Sequence, residues 1–157
     1  MKITKFLEQN PVFSIQAAYE RILPSVNKGL KKEEVNLLQG LVLTALFFED
    51  KKEVKPSQLA EVFQTTRGNM SHILSHLEYK GWVRRAVHPK DARQFQIELK
   101  PEGRKKALAL IKFFDRLQGG FEKELGPAQC QKAVDGLRRL TAAYGTTGHG
   151  DYVRLTR

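Results

Sequence analysis

The segment Thr65-Thr66-Arg67-Gly68-Asn69-Met70-Ser71-His72-Ile73-Leu74-Ser75-His76-Leu77 constrains the rest of the chain more than any other. At about 100° per residue, Met70, Ile73, Leu74 and Leu77 fall on one narrow face of a helix. The opposite face carries Gly68, His72, Ser75 and Tyr79, flanked by Ser71 and His76. A solvated helix ordinarily fills such a face with Glu and Lys, yet this one holds small, hydrogen-bonding side chains and no acid before Glu78. Thr66 is placed to act as N-cap, with Arg67 and Gly68 in the first turn and Gly81 closing the helix. Just upstream, residues 56–63 read as a short helix with Leu59, Ala60 and Phe63 inward. Two short helices joined by the tight Gln64-Thr65 turn make a helix-turn-helix. An outer face of Asn, Ser, Thr and His can read base edges without repelling phosphate.

Downstream of this helix the chain is rich in β-formers. Residues 82–88 read as a strand, and residues 94–100 alternate strictly, with Phe95, Ile97 and Leu99 on one face. Between them Pro89-Lys90-Asp91-Ala92-Arg93 has the composition of a turn and carries two cations. Helix, turn, helix, hairpin is the winged-helix order. Ser57-Gln58-Leu59-Ala60, Leu77-Glu78-x-x-Gly81-Trp82-Val83-x-Arg85, Asp91-x-Arg93 and Leu99-x-x-x-Gly103 stand in the order seen in MarR-type transcriptional regulators, which this stretch resembles. One departure is Lys100, where the family usually has a Thr that caps the next helix. Pro101 offsets it, since proline suits a first helical turn. The resemblance implies a mainly α chain with a small β-hairpin wing (α+β), a winged helix at about 33–103, and N- and C-terminal dimerisation helices at about 10–30 and 104–144. The whole chain would then be one MarR-like domain, with a loose tail at 145–157.

The charge distribution agrees with a nucleic-acid partner. Of a net charge of +10 over 157 residues, residues 65–106 hold ten Lys or Arg against four acids, or +6. A basic patch on a helix-turn-helix is the footprint of a duplex binder, although charge alone also fits a mere solubilising surface. Cys130 is the only cysteine, so no intrachain disulfide forms and a reducing compartment is expected. Relatives in this family that sense peroxide use a cysteine near the first helix, where this chain has none. The N-terminus lacks the apolar run of a signal peptide, and the apolar segment 41–48 is far too short to span a bilayer. These features predict a cytoplasmic protein without a membrane partner.

Residues 1–55 read as mostly helical. Phe13, Ala17, Ala18, Ile22 and Leu23 form a stripe, Pro24 is expected to kink or end it, and Asn27-Lys28-Gly29 reads as a break. A second helix is predicted from Glu33 to about Phe48, then a charged loop over 49–53, with Val54-Lys55 offered as a short third strand. Past Gly103, a helix over 104–117 turns Ala107, Leu108, Ile111, Phe114 and Leu117 inward, and Gly119-Gly120 interrupts or hinges it. Gly126-Pro127 breaks the chain before a last helix over 128–144, with Cys130, Ala133, Val134, Leu137 and Leu140 on its apolar side. Amphipathic end helices with no core of their own commonly pack against a second copy, which the resemblance also implies.

Arg67, Asn69, Ser71 and His72 are the candidates for base edges, Arg for guanine and Asn for adenine. Thr65, Thr66 and the first N–H groups, at Arg67 and Gly68, suit phosphate. Ser75, His76 and one of Arg84 and Arg85, taken as Arg85, complete the proposed DNA-facing set. Lys90 and Arg93 are expected at the wing tip against backbone or minor groove; Asp91 is expected to pair within the wing. The plain alternative is a helix surface that happens to be polar. His72 and His76 lie four apart, but no carboxylate or thiol completes a metal site there. No nucleophile–base pairing and no phosphate-cradling glycine loop is present, so neither an enzyme nor a cofactor is predicted. Tyr19, Phe47, Phe48, Trp82 and Phe113 are candidates to line an effector pocket but read more simply as core, and no ligand residue is assigned. The reading is a homodimeric, sequence-specific regulator of double-stranded DNA. It is expected to be a repressor on a near-palindromic operator, released by a small-molecule effector of unknown identity. The alternative is a winged helix turned to protein interaction, with DNA binding lost.

Overall fold

The computed structural model describes residues 2–49, 54–88 and 91–144. In chain order they form α1 (Lys2–Gln9), α2 (Pro11–Lys31), α3 (Leu37–Phe48), α4 (Pro56–Val62), α5 (Arg67–Tyr79), β1 (Val83–His88), β2 (Asp91–Leu99), α6 (Pro101–Leu125) and α7 (Pro127–Tyr144). This is the mainly α winged-helix order expected, with an antiparallel two-stranded sheet among the described residues. The chain divides into two compact units, Met1–Ile111 and Lys112–Arg157. Residues 50–53 of the predicted charged loop and the 145–157 tail lie outside the described residues.

The N-terminal helices differ from expectation. Asn10 caps α2 by accepting from the Val12 N–H at 3.0 Å, and Pro11 occupies the first turn. The helix then runs through Pro24 and through Asn27-Lys28-Gly29 without a break. Val26 and Leu30 are buried on either side of the predicted break, so tertiary packing overrides the local preference for a turn. The chain turns later. The Val35 N–H donates to Leu30 O and the Glu34 N–H to Lys31 O, a Schellman cap with Glu34 in the left-handed position at φ 59°. A capping box then starts α3 at Leu37 rather than Glu33. The Asn36 side chain accepts from the Gln39 N–H, and Gln39 accepts from the Asn36 N–H, each at 2.9 Å.

The core of the first unit is built from α3 (Val42, Leu43, Leu46), α4 (Leu59, Ala60), α5 (Met70, Ile73, Leu74, Leu77) and the hairpin (Val83, Ile97), all buried. In the hairpin Val83 pairs with Leu99, Arg85 with Ile97 and Val87 with Phe95, and the register shifts between Val87 and His88. The alternation in β2 holds, but Phe95 is exposed because the hairpin outruns the body that covers Ile97. The strand also reaches back to Asp91, so Asp91, Ala92 and Arg93 belong to β2 and not to a turn. Lys90 lies outside the described residues. Val54-Lys55 supplies no strand among the described residues: one hydrogen bond, from the Ile97 N–H to Val54 O at 2.9 Å, ties it to the sheet.

Gly103 explains the Leu-x-x-x-Gly spacing. A Cβ at this position would run into the Trp82 carbonyl, so only glycine lets the first turn of α6 lie on the start of β1. The same carbonyl accepts from the Lys100 N–H at 2.9 Å. Of the predicted inward set, Ala107 is buried, whereas Leu108 is exposed and Leu110, its neighbour two residues on, is fully buried instead. The helix is also uninterrupted at Gly119-Gly120. A Gln118–Glu122 side-chain hydrogen bond of 2.8 Å spans the glycine pair and helps hold the turn. Gly126, at φ 81°, ends α6, and α7 begins at Pro127 with Cys130 buried and Val134 and Leu137 exposed.

Candidate nucleic-acid interface

The helix-turn-helix is set by two caps and one buried face. The Thr65 N–H donates to Ala60 O and the Gln64 N–H to Glu61 O, which turns the chain sharply after α4 with Gln64 at φ 48°. Thr66 then caps α5 by accepting from the Asn69 N–H at 3.0 Å, as its position implied. Met70, Leu74 and Leu77 are at most 1% exposed, so the rotation of α5 about its axis is fixed by packing. At its other end the Trp82 N–H donates to Leu77 O and the Gly81 N–H to Glu78 O, with Gly81 at φ 72°.

This geometry leaves Thr66, Arg67, Gly68, Asn69, Ser71, His72, Ser75 and Tyr79 exposed on one side of α5. Thr65 is half-buried, and its Oγ1 accepts from Asn69 Nδ2 at 2.8 Å, so part of the Asn69 amide is used within the turn. The first described acid on that side is Glu78, where the helix ends. Anions are favoured at a helix N-terminus whose N–H groups point outward, and Arg67 adds a formal charge there.

His76 does not join this face. It sits at the edge of the buried stripe with Nε2 buried and unpaired among the described residues. Four residues on, Lys80 pairs with Glu34 at 2.7 Å, and Lys106 pairs with Glu33 at 3.0 Å. The Lys80 hydrogen bond and charge hold the Glu34 carboxyl below the usual carboxylate range. The turn after α2 is thereby fastened to the end of α5 and the start of α6. Nothing in the residue spacing pointed to these two pairs, because each joins residues far apart in the chain.

The two adjacent arginines of β1 take different settings. Arg84 is exposed and donates across the strands to Glu98 at 2.6 Å. Arg85 is half-buried against α5: Nη2 donates to Ser75 Oγ at 2.9 Å and to Ser71 O at 3.3 Å, and Nη1 lies 3.5 Å from Glu78 Oε2. Glu78 was the missed member of the site, although it stands in the same motif as Arg85. Arg93 and Asp91 lie in β2, but their side chains are outside the described residues.

Of the five aromatic pocket candidates, Phe47 and Phe48 meet edge to face at 5.8 Å, and Phe113 belongs to the second unit. Tyr19 and Phe48 are exposed, Phe47 packs under Arg104 at 5.4 Å, and Trp82 is buried beneath Lys106 at 5.3 Å. A shallow groove of about 360 Å³ is lined instead by Asn27, Lys31, Glu34, Val35, Asn36 and Gln39. Among the described residues no group of three His, Cys, Asp or Glu could hold a metal ion, and no helix is long and apolar enough to cross a membrane.

A sequence profile described as the MarR family matches residues 35–95, the span of α3 to the middle of the hairpin. The part of this chain that matches the MarR family is its winged helix. Among curated relatives, the transcriptional repressor MprA of Escherichia coli K12 is 27% identical over 137 residues, covering 87% of this chain and 67% of MprA. The HTH-type transcriptional regulator PrsX of Escherichia coli is 31% identical over 86 residues, covering 55% of this chain and 52% of PrsX. The likeness in fold extends beyond the matched segment. The Staphylococcus aureus MepR–DNA complex superposes with a TM-score of 0.78 at 20% identity, covering 85% of this chain and 97% of MepR. CouR from Rhodococcus jostii RHA1, bound to p-coumaroyl-CoA, gives 0.74 at 20% identity over 91% of this chain and 98% of CouR.

Proposed function

We propose that this protein is a homodimeric, sequence-specific DNA-binding repressor of the MarR family, released from its operator by a small-molecule ligand. The observation that carries the reading is the outward face of α5, which exposes Arg67, Asn69, Ser71 and His72 and holds no acid until Glu78. Arg and Asn suit bidentate pairing with guanine and adenine in the major groove. Thr65, Thr66 and the first amides of α5 take phosphate, and Lys90 and Arg93 on the wing take backbone or minor groove. Ser75 lies on the same side one turn further along, and its hydroxyl already accepts from Arg85. A face turned to protein partners has no need to exclude acids, which argues against the interaction-module alternative.

Dimerisation is supported by the apolar side chains that α1 and α2 leave exposed. Ile3, Phe6, Val12, Phe13, Ile15, Tyr19 and Ile22 are all exposed in the single chain, and apolar surface concentrated in this way marks an interaction site. Two copies related by a two-fold would set the recognition helices about one DNA turn, ~34 Å, apart and select a near-palindromic site. Repression is supported by the name of MprA, DNA binding by the MepR–DNA complex and ligand response by the CouR complex. The test is selection of duplexes from a randomised pool by the full chain. A palindromic consensus supports the reading, and recovery of unenriched sequence refutes it.

A further inference from the structure

We propose that Arg85 is the positioning residue of the DNA-reading helix, acting on sequence recognition through α5 and making no contact of its own with DNA. The inference rests on the reading of α5 as the helix that enters the groove. On the inward face of the hairpin, Val83 and Ile97 are buried while Val87 and Phe95 are exposed. Arg85, paired with Ile97, stands between them, where the hairpin leaves the core and passes α5. From there it grips Ser71, Ser75 and Glu78, which at spacings of four and three residues line up along one side of the helix. Glu78 closes the arrangement, its Oε1 accepting from the Arg85 backbone N–H at 3.1 Å. The carboxylate therefore holds both ends of the residue that holds the helix.

The planar guanidinium is suited to this in a way an ammonium is not, because its donors are fixed in a fork that can serve several acceptors at once. The donors so used are engaged by protein acceptors. The gripped Ser71 and Ser75 lie on the same exposed side of α5 as Arg67 and His72, and Glu78 lies at its edge. A small rotation or slide of the helix would thus move those two across the base edges. Base-edge hydrogen bonds weaken steeply with distance and angle, whereas phosphate contacts carry no sequence information. Loosening Arg85 should consequently degrade the reading of sequence and leave non-specific binding intact.

The test uses the full chain, the duplex it enriches most from a randomised pool, and a shuffled duplex of equal length, titrated at two salt concentrations. Arg85→Met and Arg85→Lys should each weaken the enriched duplex about tenfold, change the shuffled one less than about twofold, and leave the salt slope unchanged. Glu78→Gln keeps an acceptor for the backbone N–H but removes the charge that faces Nη1, so it should lower the ratio between the two duplexes in the same direction. Three results overturn the proposal. One is a salt slope smaller by about one unit per subunit with both duplexes weakened alike, which makes Arg85 a phosphate contact. Another is Glu78→Gln tightening both duplexes equally, the outcome of simple charge removal. The third is no change in either arginine variant. Should Arg85→Met fail to fold by circular dichroism, Arg85→Lys and Glu78→Gln decide. If the wild-type chain itself enriches nothing, the DNA-reading assignment of α5 fails, a result distinct from failure of the Arg85 assignment.

Discussion

The Trp82 carbonyl and Gly103 meet so closely that no side chain fits between them, and this contact seats α6 on the start of the wing. The carbonyl cannot retreat, because it also accepts from Lys100 and Trp82 is itself buried. Gly103→Ala should therefore displace backbone and cost about 3 kcal/mol of stability, at the upper end for overpacking. Gly81 presents the opposite case. A Cβ there meets nothing within 4 Å, but φ is 72°, so Gly81→Ala should cost only about 1 kcal/mol, the strain of a left-handed L-residue. Urea denaturation of both variants checks the order; equal losses would mean that the contact at Gly103 relaxes freely.

The Glu34–Lys80 pair gives a pH dependence with a definite sign. The folded state lowers the Glu34 pKa from its ordinary 4.5, chiefly through the Lys80 hydrogen bond. Its contribution is accordingly full above about that pH and is lost as pH falls through the lowered folded value. Glu34→Gln should cost a little stability at neutral pH, small because the Glu34 carboxylate is exposed, and that cost should vanish as pH falls through the lowered folded value. Chemical denaturation of wild type and variant between pH 3 and 7 measures it. An unchanged acid limb in the variant would show that the pair carries no net stability.

The exposed apolar side chains of α1 and α2 predict that the protein is a dimer at micromolar concentration by light scattering. Replacing Phe13 and Ile22 together with Glu should yield monomers that bind the enriched duplex at least about a hundredfold more weakly, because each half-site would have to be bound alone. Dimers that persist with full affinity would place the interface elsewhere.

The winged helix was legible because its cues are local. Thr66 and Gly81 bracket α5 through their own backbone neighbours, and Met70, Ile73, Leu74 and Leu77 needed only the helical period to be placed inward. The errors fall where distant residues decide. Asn27-Lys28-Gly29 reads as a break, but burial of Val26 and Leu30 keeps it helical; Leu108 and Leu110 exchange roles because the period alone does not say which side of α6 meets the core. In the site, the outward set on α5 came from the pattern. Arg85 and His76 were read into the same set, but Ser75 and Glu78 engage the guanidinium of one, and the edge of the core takes the imidazole of the other.

Arg93, in β2, separates affinity from reading. As a wing cation near phosphate it should, on substitution by Ala, weaken the enriched and shuffled duplexes by similar factors and lower the salt slope by about one unit per half-site. Titrations at two salt concentrations measure both quantities. Loss confined to the enriched duplex would instead make Arg93 a base-reading residue.

The central claim is that the exposed side of α5 reads base edges, and His72, exposed and free of the turn bonds that engage Asn69, tests it most directly. The measurement is the ratio of dissociation constants for shuffled and enriched duplexes, compared between wild type and His72→Ala by fluorescence anisotropy. A lost base-edge contact costs roughly 1–3 kcal/mol per half-site. The ratio should therefore fall at least about tenfold in the variant, with the shuffled duplex bound as before. A ratio unchanged by the substitution, or a wild-type ratio near one, would contradict the account.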